Sequence, residues 1–114
     1  MKYLLLINAG ELDPENAPVG CEPEDWMRFD KEIQDAGVVV ASESLADLVT
    51  ATRVQVADDG KRTVTDGPFA ETREVLGGFY LVDVPDLDAA IDWAAKCPGA
   101  KYGSVEVRPI MEFS

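Results

Sequence analysis

The chain has 114 residues, the size of one domain, so we expect a single domain over residues 1–114. Its net charge is −12, from 22 acidic and 10 basic residues, and a surface of this sign repels phosphate backbones, which argues against nucleic-acid binding. The absence of histidine from the sequence excludes a histidine general base, a Ser-His-Asp triad and a typical zinc site.

Nothing in the sequence indicates a membrane protein. No apolar segment approaches the roughly 20 residues of a membrane helix. The apolar run at residues 1–7 is too short for a signal peptide. We therefore predict a cytoplasmic protein without membrane association, in which Cys21 and Cys97 are free thiols.

The first part of the chain predicts a strand, a loop and a helix in that order. Residues 2–9 form a near-continuous apolar run typical of a central strand, and residues 10–21, with two prolines, form a loop. A helix is predicted to begin at Pro23 and end at Gly37, because proline suits the first helical position and glycine the C-terminal cap. Its apolar stripe recurs at three- and four-residue spacing and consists of Trp26, Phe29, Ile33 and Ala36.

Three strands are predicted after this helix. Residues 38–41 are apolar and largely β-branched, and the polar residues 42–44 continue from their end. Residues 52–56 and 62–65 are predicted to pair as a hairpin, because Asp58-Asp59-Gly60 between them is a strong turn signal.

The last third of the chain predicts a strand, a helix and a closing strand. Residues 77–84 have the aromatic and β-branched content of a strand. Asp86 is a good N-cap for a helix that ends at Pro98-Gly99. The apolar stripe of that helix consists of Leu87, Ala90, Ile91, Ala94 and Cys97. Alternation over residues 104–113 predicts a long half-buried strand, and Pro109 indicates an edge position or a bulge in it.

The element order is β-α-β, a hairpin, and β-α-β. It predicts an α+β, ferredoxin-like fold with an antiparallel sheet and two helices on one face. Two helices cannot cover both faces of the sheet, although residues 3–7 and 79–84 have the apolar character of strands covered on both. We therefore predict a homodimer that packs sheet against sheet and buries apolar surface.

The stretch at residues 65–74 follows no hydrophobic periodicity and contains Asp66-Gly67-Pro68-Phe69. One interpretation is a tight turn whose Phe69 packs into the core. The other is that the rigid turn directs Asp66 and Glu71 into a pocket at the sheet edge, where they bind a ligand or act as acid and base. Both interpretations are open at this point.

Through this motif the sequence resembles the YCII-related family, in particular the branch named for its DGPF motif. The resemblance extends to residues 1–7, 77–81, 86–91 and 105–110. It implies a dimeric α+β barrel of ferredoxin-like subunits, but no known reaction and no cofactor. Some relatives accompany extracytoplasmic-function sigma factors or are fused to them. The founding members carry a His–Asp pair proposed as an active site, which a sequence without histidine cannot reproduce.

The predicted site combines carboxylates with arginines. Asp66 and Glu71 are the predicted catalytic pair, and Arg53 or Arg108 is predicted to hold an anionic group of the ligand. The alternative for the arginines is a structural salt-bridge network.

Phe69 and Glu74 complete the predicted ligand-binding set. Glu71 and Glu74 are three residues apart and would share one face of a helical turn, either as an acid–base pair or as a solvated surface. With Asp66 and Glu43 they could offer an all-oxygen cation site, but their spacing matches no known ion loop, so no metal is predicted.

Two functions are consistent with the sequence. The first is a small-molecule-binding protein, or a cofactor-independent enzyme, with its pocket between the sheet and the helices. The alternative is a non-catalytic accessory or regulatory module whose acidic surface over residues 10–35 contacts a partner protein. The sequence specifies neither a substrate nor a reaction.

Overall fold

The computed structural model of the protein describes residues 1–9, 20–46, 50–66 and 76–112. Six strands and three helices are assigned in these ranges. In chain order they are β1 (Lys2–Asn8), α1 (Pro23–Asp35), β2 (Val39–Ser44), β3 (Thr52–Val56), β4 (Arg62–Asp66), β5 (Leu76–Asp83), α2 (Leu87–Lys96), α3 (Gly99–Tyr102) and β6 (Ser104–Pro109). The predicted α+β class is therefore confirmed.

Four of these strands form an antiparallel sheet in the order β2-β5-β1-β6, and β3 pairs only with β4 in a separate hairpin. Strand β1 lies between β5 and β6, so Leu4 is opposite both Leu81 and Arg108. Strand β6 is at the edge of the sheet, which is where Pro109 predicted it to be.

The core lies between one face of the sheet and the helices. Tyr3, Leu5 and Ile7 alternate along β1 and are buried, as Tyr80 and Val82 are along β5. The helices contribute Phe29, Ile33, Ala90 and Ala94 to the same cluster. On the other face, Leu4, Leu6, Phe79 and Leu81 are only half-buried.

Local signals explain where the two long helices begin and end. Pro23 is the first residue of α1, and the Glu22 backbone N–H donates to the Asp25 carboxylate over 3.0 Å. Gly37 follows α1 with φ of +75°, a left-handed conformation in which its N–H bonds to the Gln34 carbonyl oxygen. Asp86 is the N-cap of α2, as predicted, and accepts from the Ala89 N–H over 2.9 Å.

The predicted apolar stripe of α2 is wrong at two positions. Ala90, Ala94 and Cys97 are buried, but Leu87 and Ile91 are exposed. Consecutive helical residues are turned about 100° from each other, so a helix that packs through Ala90 directs Ile91 away from the core. Ala90 and Ala94 form the side of α2 that packs against the core, and the larger Leu87 and Ile91 lie outside this contact.

Two other predictions differ from the structure at element ends. The helix α3 at Gly99–Tyr102 was not predicted, because Pro98-Gly99 was interpreted only as a terminator. Strand β6 ends at Pro109 rather than at residue 113. Its partner β1 begins at Lys2, whose carbonyl oxygen accepts from the Ile110 N–H, and the Met1 carbonyl oxygen accepts from Val84 instead. Among the described residues, no helix has the length and apolar character needed to cross a membrane.

Candidate functional site

A cleft of about 590 Å³ opens between α1, α3 and the adjoining ends of β2 and β5. Its volume lies within the roughly 300–1,000 Å³ typical of small-molecule sites. The aromatic residues that line it are Trp26, Tyr80, Tyr102 and Phe79, and the last of these has its side chain on the other face of the sheet. The polar residues on its wall are Asp30, Ser42, Glu43 and Ser44.

Helix α1 presents two of these residues on one side. Trp26 and Asp30 are four residues apart, so they lie one turn above each other on the helix. The Tyr80 hydroxyl donates a 2.8 Å hydrogen bond to Oδ1 of Asp30, which joins β5 to α1. The Phe29 ring meets the Tyr80 ring edge to face, with centroids 5.5 Å apart, and fixes the direction of the tyrosine.

Strand register decides which polar groups of β2 share a face with this pair. Ser42 is opposite Tyr80 and Ser44 is opposite Gly78, so both serines lie on the helix-facing side of the sheet. Glu43 is opposite Phe79 and therefore points to the other side. The helix-facing wall of the cleft thus offers two hydroxyl groups beside the Asp30 carboxylate.

The electrostatics of the cleft keep its phenols protonated. Burial raises the pKa of Tyr80 well above its usual range, and the hydrogen bond to Asp30 and the charge of Asp30 raise it further. Burial also raises the pKa of Tyr102, against the opposing effect of a hydrogen bond with Trp26. Tyr80 therefore acts as a neutral hydrogen-bond donor, while the exposed Asp30 carboxylate keeps its remaining acceptor sites for solvent or a ligand.

Two glycines allow the close contacts that shape the cleft. A Cβ atom on Gly78 would lie 2.8 Å from the Glu43 carbonyl oxygen, so only glycine lets β2 approach β5 this closely. A Cβ atom on Gly99 would lie 2.8 Å from Ile7 and 3.3 Å from the Trp26 ring. The absence of a side chain at Gly99 therefore leaves room for Trp26 on the wall.

Comparison with known proteins identifies the family to which this architecture belongs. The model of the YCII-related domain matches residues 1–114. The chain belongs to the YCII-related domain family. It is also 53% identical over 53 residues to an uncharacterised protein of Rhizobium meliloti (strain 1021). That match covers 45% of this chain and 43% of the relative, so less than half of each protein is compared.

The described residues of the predicted site do not converge in this YCII-related chain. Asp66 ends β4, where its carboxylate accepts from the Thr52 hydroxyl over 3.3 Å. Arg53 is opposite Thr65, so Arg53 and Asp66 project from opposite faces of the hairpin. Arg108 is on β6, at the sheet edge away from β2. None of the three is among the described residues that line the cleft.

The other three predicted site residues are Phe69, Glu71 and Glu74, which lie outside the described residues. The catalytic role of Asp66 and Glu71 and the ligand-binding role of Arg53, Arg108, Phe69 and Glu74 stay predictions. In the described ranges, no three acidic or cysteine side chains are grouped as a metal site requires.

Sequence reasoning missed the residues that do line the cleft. It assigned Trp26 to the apolar stripe of α1 and named neither Tyr80 nor Tyr102 as a site residue. Two weak signals were present: Asp30 lies one helical turn after Trp26, and the polar residues 42–44 follow an apolar strand. Neither signal shows that α1 and β5 bring Asp30 and Tyr80 together.

Proposed function

We propose that this YCII-related chain binds a small molecule in the cleft and that the Tyr80–Asp30 pair anchors its polar group. The observation that carries the proposal is the 2.8 Å hydrogen bond between these two side chains in the cleft wall. Rigid aromatic packing around Tyr80 supports it, because a preorganised polar pair loses little conformational freedom when it binds.

The chemistry of the wall favours a small organic cation with an apolar part. Asp30 supplies a carboxylate, and Trp26 and Tyr102 supply ring faces that attract positive charge. Among the described residues that line the cleft, none is a lysine or an arginine. The net charge of −12 adds a general attraction for cations and a repulsion of anions.

The pair is better suited to binding than to proton donation. A phenol whose pKa is raised gives up its proton less readily, so Tyr80 donates a hydrogen bond without transferring the proton. The Asp30 carboxylate accepts hydrogen bonds, so it can hold an N–H or O–H group of the ligand beside the Tyr80 donor. Asp66 and Glu71 are a separate proposal for acid–base chemistry, based on the sequence motif alone.

We extend the proposal to the finer architecture and to the branch of the family. The strand order β2-β5-β1-β6 supports a ferredoxin-like domain over residues 1–114, since two interleaved β-α-β units produce this order. The motif Asp66-Gly67-Pro68-Phe69 supports the DGPF branch. The half-buried Leu4, Leu6, Phe79 and Leu81 support a dimeric α+β barrel, in which two copies cover these faces.

Matched probes test the ligand proposal. Benzylamine, benzyl alcohol and benzoate share one ring and differ in charge, and the indole N–H signal of Trp26, assigned with a Trp93→Phe variant, reports binding by NMR titration. We expect benzylamine to bind more tightly than benzyl alcohol, and benzoate to bind least. Asp30→Asn should remove the preference for the amine, and Tyr80→Phe should weaken binding of both the amine and the alcohol.

Asp88→Asn is the control, because it removes the same charge from α2, outside the cleft. It should leave all three affinities unchanged. If none of the probes perturbs Trp26, or if Asp30→Asn and Asp88→Asn behave alike, the proposal fails. Failure of all three probes would favour the alternative, an accessory or regulatory module related to partners of sigma factors.

A further inference from the structure

We propose that the cleft contains a second polar site, the serine subsite, in which Ser42 and Ser44 bind an uncharged hydroxyl group of the ligand. This inference rests on the proposed function, because it adds a second contact to the organic cation that Asp30 holds. It narrows the ligand to an amine that carries a hydroxyl group at the end remote from its ammonium group.

The two serines stand on the floor of the cleft, which is the helix-facing side of the sheet. Ser42 is directly opposite Tyr80 and Ser44 is directly opposite Gly78, so both side chains project from the same face. They are two residues apart on one strand, a separation of about 7 Å. A single hydroxyl group bound between them can therefore reach both.

The hydroxyl groups of the serine subsite are available to a ligand. Over the described ranges, neither takes part in a hydrogen bond with another residue, although Ser42 is half-buried. A half-buried hydroxyl without a protein partner is hydrated by water in the cleft. A ligand hydroxyl that replaces this water restores its hydrogen bonds, so the exchange does not leave a polar group unsatisfied.

Gly78 leaves an open area of floor beside Ser44. Its partner on β1 is Ile7, which also lines the cleft. The row across three strands is therefore Ser44, Gly78 and Ile7, with no side chain at its centre. An apolar ring can lie over this gap, between Ile7 and the Tyr80 ring, with its hydroxyl group toward the serines.

The serine subsite and the Asp30 carboxylate lie at opposite ends of the Tyr80 side chain. Ser42 is beside the Tyr80 backbone in the strand register, whereas Asp30 accepts a hydrogen bond from the hydroxyl at the tip of the tyrosine. One phenol ring therefore separates the two polar sites. A ligand that contacts both must carry its amine and its hydroxyl group on opposite sides of a spacer of similar size.

The chemistry of the subsite favours a neutral group over a charged one. A serine hydroxyl both donates and accepts, so it satisfies both functions of a ligand hydroxyl. A carboxylate or phosphate would find no lysine or arginine among the described residues on the cleft wall. A second ammonium group would lack a carboxylate here, because Glu43 points to the other side of the sheet.

Two amines that differ by one hydroxyl group test the serine subsite. Tyramine is phenethylamine with a hydroxyl group on the ring carbon opposite the aminoethyl chain, and the indole N–H signal of Trp26 reports the binding of each by NMR titration. We expect the original chain to bind tyramine about fivefold more tightly than phenethylamine, the gain typical of an added hydrogen bond. The double variant Ser42→Ala, Ser44→Ala should bind the two amines with equal affinity.

Thr63→Ala is the matched control, because it removes a hydroxyl group from β4, outside the cleft. It should retain the preference for tyramine. The subsite is rejected if the double variant also retains that preference, or if it loses affinity for both amines by the same factor.

The titration separates failure of this inference from failure of the proposed function. If the original chain binds the two amines equally, the serine subsite is overturned, and the amine site at Asp30 stands. If neither amine perturbs Trp26, the proposed function fails and the serine subsite fails with it.

Discussion

The Tyr80 hydroxyl and the Asp30 carboxylate meet at 2.8 Å, although 50 positions separate them in the chain. The bond ties a central strand to α1 at the wall of the cleft, so it contributes to stability as well as to the polarity of the site. We expect Tyr80→Phe to lower the free energy of unfolding by about 1 kcal/mol. Urea denaturation followed by circular dichroism measures this loss.

Tyr3→Phe is the matched control for that substitution. Tyr3 is also buried in the core, but among the described residues its hydroxyl donates only to the Met1 sulfur, at 3.7 Å. Because sulfur is a weak acceptor, the loss at Tyr3 should be clearly smaller than at Tyr80. Equal losses for the two variants would show that the Asp30 contact adds no stability.

The raised pKa values of one thiol and two phenols predict that the folded protein loses stability at alkaline pH. Burial raises the pKa of the Cys97 thiol from 9.0 to about 11, and the pKa values of Tyr80 and Tyr102 are also raised. The folded protein therefore holds these protons more tightly than the unfolded chain, so its stability is complete below pH 9 and falls as the pH rises. For Cys97 the fall lies between pH 9 and about 11 and amounts to about 3 kcal/mol at most.

Urea denaturation at a series of pH values tests this dependence. Cys97→Ala should flatten the decline between pH 9 and 11, and Tyr80→Phe should flatten it above pH 10. If the unfolding free energy falls with pH as steeply in both variants as in the original chain, Cys97 and Tyr80 are not its cause. Reaction of Cys97 with a thiol reagent should also stay slow until the pH approaches 11, because the thiolate is the reactive form.

The N-cap of α2 gives a test that is independent of the site. Asp86→Ala removes the acceptor of the Ala89 N–H and should cost about 1 kcal/mol of unfolding free energy. Asp88→Ala removes the same charge from the first turn of the helix without removing the cap, so a smaller loss of a few tenths of a kcal/mol is expected. Thermal denaturation of both variants compares the two, and a larger loss for Asp88→Ala would contradict the capping assignment.

Two adjacent leucines of β1 distinguish the two faces of the sheet. Leu5 is fully buried against the helices, so Leu5→Ala should cost about 3 kcal/mol at any protein concentration. Leu4 lies on the half-covered face, and the cost of Leu4→Ala should grow with protein concentration if a second copy covers that face. Denaturation midpoints at two protein concentrations measure the difference. Concentration-independent losses at both positions would argue against a sheet-to-sheet dimer.

Local patterns in the sequence were sufficient for most of the fold. The apolar run at residues 2–9 became β1 at Lys2–Asn8, and Pro23 was correctly predicted to begin α1. These signals succeed because burial and capping act on residues close together in the chain. The errors at Leu87 and Ile91 arise because an apolar stripe wider than the contact does not show which part of it faces the sheet.

The cleft was less accessible to sequence reasoning for a different reason. Its main contact joins Asp30 to Tyr80. No local sequence pattern predicts which turn of α1 packs against which residue of β5. The predicted site followed a distinctive motif instead, and of that motif the structure describes Asp66, on a hairpin apart from the cleft. In this chain a distinctive sequence motif therefore did not indicate where side chains from different elements come together.

The central position of β1 has a consequence for the synthesis of the protein. Leu4 pairs with Leu81 on one side and with Arg108 on the other, so both neighbours of β1 lie far along the chain. A growing chain that leaves the ribosome exposes β1 long before either partner has emerged. Pairing over such separations is slow, because the entropy of loop closure opposes it until the late strands dock. Strand β1 is thus unpaired during most of the synthesis of residues 1–114. A chaperone that binds the exposed β1 would act mainly in that interval.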